Sequence, residues 1–220
     1  MISRRLKIAF VFSIFGAALI TLIGGYYTYE AAPPYPGQTV SDGGVPLFDK
    51  EGLLAGQAVW QKYGLMDNGS VWGHGTYRGN DYTATTLHLV GQTMRDAHAV
   101  QRGFASWKAA PADARTAIDG AVIAELKQNR YDASSDRLSL TPAQTAALQS
   151  VRAHWERIFS EGDKATVVSA NAVQKPEERQ ALADFFFWSA WAAGTLRPGK
   201  DMTYTNNWPP ERSVGNDISA

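Results

Sequence analysis

Ile8 to Tyr29 is a run of 22 residues without a charged side chain, rich in Ile, Leu, Val and Phe. As a helix it would be roughly 33 Å long at about 1.5 Å per residue, enough to cross a hydrocarbon layer of about 30 Å. A backbone in lipid must pair its own polar groups, and a helix does this within one segment. The run is therefore expected to be a single membrane-spanning helix, with lipid as its partner. Arg4, Arg5 and Lys7 precede it and the first acidic residue is Glu30, so the N-terminus is expected in the cytoplasm. Tyr26, Tyr27 and Tyr29 then fall at the far interface. The rival is a cleaved secretory leader, which has a shorter apolar stretch and a small-residue cleavage site. Here Ala31-Ala32 follow bulky Tyr29 and charged Glu30 and run into Pro33-Pro34, which favours an uncleaved anchor over residues 1–30.

Residues 31–44 hold Pro33, Pro34, Pro36, Gly37, Gly43 and Gly44 and read as an extended stalk. Beyond it the signals are helical. Asp49 suits the cap of a helix running to about Tyr63 and stopping at Gly64. Thr83 suits the cap of the next, with Leu87, Val90, Met94, Ala97 and Gln101 in helical rhythm. Pro111 suits a first turn, and Ile118, Val122 and Leu126 form a stripe after it. The plainest start is Thr141-Pro142-Ala143-Gln144: a threonine cap, a first-turn proline and a glutamine completing a capping box. Leu148, Val151, Trp155, Ile158 and Phe159 mark one apolar face before Gly162. The last helix opens at Pro176-Glu177-Glu178, where acids complement the helix dipole. It becomes apolar all round from Phe185 to Trp191, so that stretch must be buried in the domain or pressed on a partner. No alternating strand pattern stands out, and the expected class is all-α.

The chain contains no cysteine. Disulfides, thiolate metal sites and the thioether attachment of a c-type haem are thereby excluded. With Arg4, Arg5 and Lys7 set aside, 18 basic residues face 21 acidic ones, a net charge of −3. A mildly acidic domain has no electrostatic basis for binding nucleic acid. The histidines are His74, His88, His98 and His154, and no two have the i, i+3 or i+4 spacing of a helical metal site.

Two irregular stretches stand apart. Gly64-Leu65-Met66-Asp67-Asn68-Gly69-Ser70-Val71-Trp72-Gly73-His74-Gly75-Thr76-Tyr77 is a glycine-rich loop suited to close backbone approach. Tyr204-Thr205-Asn206-Asn207-Trp208-Pro209-Pro210-Glu211 is polar and aromatic, and its prolines oppose a helix. With Gln57–Tyr63, these stretches resemble the N-terminal region of the quinol-dependent nitric-oxide reductases of bacteria. In that family one long chain fuses an anchor and a periplasmic domain to a multi-helix, haem-copper-oxidase-like core. The resemblance runs from the anchor through Glu211 and is weakest from about Val90 to Lys175.

The resemblance implies a cytochrome-c-like helical periplasmic domain over residues 45–200 that lacks haem, followed by a segment, 201–220, leading to the catalytic core. The related haem-bearing protein has a Cys-x-x-Cys-His motif that precedes a Gly, acid, Gly, small residue, Tyr pattern. On this chain Leu65, Asn68 and Gly69 fall at the two cysteines and the histidine. Gly73, Gly75 and Tyr77 keep the later pattern, and His74 replaces the acid. The same likeness makes Tyr77 a candidate contact to a calcium ion beside the core's haem propionates, with packing in the glycine loop as the plain alternative. Calcium prefers carboxylate to imidazole, so His74 weakens that site. His74 is a candidate hydrogen-bonding group for a partner or a quinol headgroup. Trp188 and Trp191 are candidates for core or subunit interface, and Asn206, Asn207 and Trp208 for an interface. The implied function is the non-catalytic anchored part of a quinol-dependent nitric-oxide reductase. No cofactor is expected in this chain, and haem b, non-haem iron and calcium are expected in the partner core. The alternative is a stand-alone anchored module that binds a periplasmic protein.

Overall fold

The structure, a computed structural model, describes residues 3–217; the expected anchor and lead-out segments extend to residues 1–2 and 218–220, which lie outside the described residues. The chain divides into two units between Pro34 and Tyr35.

The first unit is helix α1, Arg4–Glu30, with Ser3 as its N-cap. It is the one helix among the described residues long and apolar enough to cross a membrane, with a mean hydropathy of 2.3 and none of that stretch buried. Its hydroxyls find partners within the helix: Thr21 donates to the Ala17 carbonyl and Thr28 to that of Gly24. Both bonds remove a donor that lipid could not satisfy.

Among the described residues the second unit packs five α-helices. They are α2 (Lys50–Lys62), α3 (Tyr82–Gln101), α4 (Ala112–Lys127), α5 (Pro142–Glu161) and α6 (Pro176–Gly194). Asp49 caps α2 through the Gly52 amide, and Gly64 follows its end in the left-handed region. Thr141 and Gln144 form the capping box of α5, and Gly162 closes that helix. At α3 the cap is Asp81 rather than Thr83, because the Asp81 carboxylate accepts from the Ala84 amide. Thr83 is buried instead, its hydroxyl 3.0 Å from that of Ser189 on α6. Pro111 sits one residue before α4 instead of inside its first turn.

Helix α6 runs through the core, and from Leu182 to Gly194 every residue on it is buried. That resolves the all-round apolar stretch: other helices cover it within the domain. Gly56 makes one of these approaches possible. A Cβ there would lie 2.1 Å from the Ala181 carbonyl oxygen and 2.8 Å from the Phe185 Cβ. At the centre, Tyr82 stacks on Phe186 with centroids 4.7 Å apart and planes 4° apart, and Trp155 meets Phe186 edge-on at 5.1 Å. The Trp155 indole donates to the Thr86 hydroxyl at 3.0 Å, so the one polar atom of that ring is satisfied.

Short strands accompany the helices. β1 (Gln38–Ser41), β2 (Pro46–Asp49), β5 (Tyr131–Asp132) and β6 (Arg137–Leu140) form a small sheet in the order β2-β1-β6-β5. β1 runs parallel to β6, and the other pairs are antiparallel. Residues 38–41, read from sequence as stalk, are thus part of the folded unit: Thr39 and Val40 are buried against it. Prolines and glycines flank β1 on both sides and hid a four-residue strand. The sheet is tied to the helices through Arg152 of α5, which donates to the Leu47 carbonyl of β2 at 2.9 Å while pairing with both oxygens of Asp184 on α6 at 2.7 and 2.9 Å.

Candidate functional site

The glycine-rich loop after α2 folds into one turn of 3-10 helix, Leu65–Asp67, and a hairpin of β3 (Ser70–Val71) and β4 (His74–Gly75). Its two-residue turn, Trp72-Gly73, has positive φ at both positions, 53° and 76°. Such a turn matches the twist of paired strands, but a tryptophan in it must be held there. Trp72 is held: its amide donates to the Thr83 hydroxyl at 3.3 Å and its indole to the Ser189 carbonyl at 2.9 Å. The second oxygen of Asp81 completes the clamp, accepting from Ser70 Oγ at 2.6 Å and the Gly73 amide at 2.9 Å.

Past α6 the chain turns back on the domain. Asn206 and Asn207 both adopt left-handed φ, 57° and 61°, a conformation asparagine tolerates well. Arg197 secures the bend, donating to the Tyr204 carbonyl at 2.8 Å and to Asn206 Oδ1 at 2.7 Å. Asn207 closes on itself: its amide donates to Thr203 Oγ1 at 2.8 Å, and its side-chain oxygen accepts from the Thr203 amide at 3.2 Å.

The hairpin and this bend form the walls of one open groove of about 530 Å³, lined by Trp72, Gly73, His74, Tyr77, Tyr204, Thr205, Asn206 and Trp208. Of the interface candidates named from sequence, His74, Asn206 and Trp208 come together here, with Tyr77, the candidate calcium contact, beside them. Tyr77 is 89% exposed, so packing inside the glycine loop is not its role. Asn207 does not line the groove, because its side chain is spent on Thr203. Of the two readings for Trp188 and Trp191, core and subunit interface, the structure takes core: they are 1% and 4% exposed. Trp188 packs between Tyr35, at 4.1 Å, and Trp72, at 5.3 Å, and Trp191 lies 5.8 Å from the Tyr204 ring. Sequence reasoning did not single out Trp72, Thr205 or the clamp residue Asp81. The burial of Tyr204 pushes its phenol above the ordinary value, opposed by the hydrogen bond from Asn129, so the ring is neutral near pH 7.

The positions that correspond to a haem-attachment motif do not fit one. Leu65 is 2% exposed, and its carbonyl accepts from the Tyr82 hydroxyl at 3.3 Å. At Gly69 a Cβ would lie 2.3 Å from the Asn80 carbonyl oxygen and 3.0 Å from the Tyr82 ring, so no imidazole can be placed there. Tyr82, stacked on Phe186, fills the space beside both. Among the described residues no group of three or more His, Asp or Glu is arranged to hold a metal ion. His88 pairs with Glu211 and His98 with Glu125, each at 2.7 Å. The His154 ring packs edge-on against Trp155 at 4.8 Å, where burial lowers its pKa.

No curated protein sequence matches the chain. A family match covers residues 36–210, from the start of the folded unit through both walls of the groove. Positions 65, 68 and 69, the hairpin and most of the Tyr204–Glu211 bend lie inside that match, and the chain belongs to the family described as the cytochrome c-like domain of the NorB subunit of nitric oxide reductase.

Proposed function

We propose that this chain is the membrane-anchored, non-catalytic periplasmic part of a quinol-dependent nitric-oxide reductase, and that its groove docks on a haem-copper-oxidase-like catalytic core. One observation carries the reading. The two stretches that resemble the reductases, far apart in sequence, meet at a single groove. That groove exposes aromatic and polar side chains, whereas the aromatics of α5 and α6 lie in the core. Aromatic rings with polar tips are the side chains that interface cores favour. The family membership supports a catalytic-core partner; in the reading proposed here that core carries haem b and non-haem iron and reduces two NO to N₂O and water with two electrons and two protons drawn from a quinol.

In this assignment α1 holds the chain in the inner membrane with Arg4, Arg5 and Lys7 on the cytoplasmic side. The groove's edge residue Tyr77 reaches toward a calcium ion held chiefly by the core. His74 supplies a hydrogen bond to the core or to a quinol headgroup. The test is co-purification from membranes with a tagged chain. A multi-span, haem-bearing partner retained by the parent chain and lost with His74→Ala plus Trp208→Ala supports the reading. Recovery of a periplasmic protein without haem would replace it with the stand-alone binding module.

A further inference from the structure

We propose that Asn216 is a positioning residue that sets the Tyr204–Trp208 wall of the groove from outside the groove itself. The inference rests on the groove being the functional surface. Asn216 is 1% exposed, and its carboxamide uses both ends. The Nδ2 group donates to the Ala193 carbonyl at 2.9 Å and to the Pro209 carbonyl at 3.0 Å. Its oxygen accepts from Lys127 Nζ. One side chain thus bolts the residue following Trp208 to the ends of α4 and α6. Its backbone closes the same loop in both directions, since the amides of Glu211 and Asn216 each donate to the other's carbonyl at 3.1 Å. Tyr204 at the start of the wall leans on Trp191 of α6, whereas Trp208 is held by its amide bond to the Thr205 carbonyl at 3.2 Å and by the Thr205 hydroxyl. A buried amide with every polar atom paired is costly to disturb, and here the cost falls on the segment that presents Trp208.

The experiment uses the full chain in detergent, labelled with 5-fluorotryptophan and assigned through Trp208→Phe, with hydrogen exchange measured in parallel. In Asn216→Ala the amides of Asn206, Asn207, Trp208 and Glu211 are expected to exchange roughly tenfold faster or more, the scale of about one lost buried hydrogen bond. The Trp208 resonance should move while those of Trp155 and Trp188 stay. Lys127→Met, which removes only the donor to Oδ1, should move Trp208 in the same direction by less. An unmoved Trp208 signal in both variants overturns the proposal. So does a joint shift of all seven tryptophan signals in both, which would make Asn216 a general fold residue. No partner is present in this measurement, so its failure is separable from failure of the docking assignment.

Discussion

The Asp81 carboxylate accepts the Gly73 amide at 2.9 Å while its other oxygen caps α3 through Ala84 at 2.8 Å. One side chain therefore starts a helix and fixes the hairpin turn that forms a wall of the groove. Asp81→Ala removes a cap worth about 1 kcal/mol and leaves the Gly73 amide and Ser70 hydroxyl without their acceptor, for a total loss of about 2–3 kcal/mol. Asp81→Asn should lose less, because the carboxamide oxygen still caps. Urea unfolding of the two variants checks this, and equal losses would show that the retained oxygen contributes nothing.

Arg152→Met is expected to destabilise more than the Asp81 change. Asp184 is 4% exposed, and burial raises its carboxyl pKa, with Arg152 opposing that shift. Removing the guanidinium leaves a buried carboxylate unpaired and frees the Leu47 carbonyl, a cost of about 3–5 kcal/mol. The double change Arg152→Met with Asp184→Leu should recover most of it. Chemical denaturation of both proteins would show this, and no recovery would mean that the ion pair is not the source of the loss.

Alkaline pH should act on the domain in two opposite steps. Burial lowers Lys127 from 10.5 to about 8 and raises Tyr82 from 10.0 to about 12. Between pH 8 and 10.5 the unfolded chain holds the Lys127 proton that the folded chain has lost, so stability rises with pH. Between pH 10 and 12 the unfolded chain loses the Tyr82 proton first, so stability falls. Thermal unfolding across pH 7–12 should show a rise and then a decline. Lys127→Met should remove the rise alone, and Tyr82→Phe should soften the decline.

The helical frame was legible because its signals are local. The capping box at Thr141, Asp49 before α2 and the acids opening α6 each act within one turn. The strands were not, because β1 and β6 are four residues each and pair across a gap of nearly a hundred residues. The groove was half legible. Tyr77, His74, Asn206 and Trp208 were reachable through the resemblance, but the role of Asp81 depends on Ser70 and Gly73 being brought beside it. The aromatic run on α6 had two readings because pattern alone cannot say what covers an all-apolar helix. Gly56 and the facing helices supplied the cover.

The same distinction yields the sharpest test of the groove, a comparison of two tryptophans. Trp188 is 1% exposed and packs against Tyr35, Trp72 and Phe185. Trp188→Ala removes a fully buried ring and should cost about 3–5 kcal/mol, lowering the yield of folded protein. Trp208 is only partly covered, in a bend held mostly by side-chain hydrogen bonds of Arg197, Thr203, Thr205 and Asn207. Trp208→Ala should cost about 1 kcal/mol or less in stability, near the range of surface changes. If the groove docks a catalytic core, Trp208 stands where interface anchors stand, and its loss should weaken that association by about 2 kcal/mol, roughly thirtyfold in dissociation constant. The measurement is unfolding of the isolated chain beside titration of the core in detergent. Trp208→Ala should bind weakly and fold normally, whereas Trp188→Ala should fold poorly. Full association by the folded Trp208 variant would remove this wall of the groove from the docking surface, since a partly exposed ring that anchors a partner cannot be deleted without loss of binding.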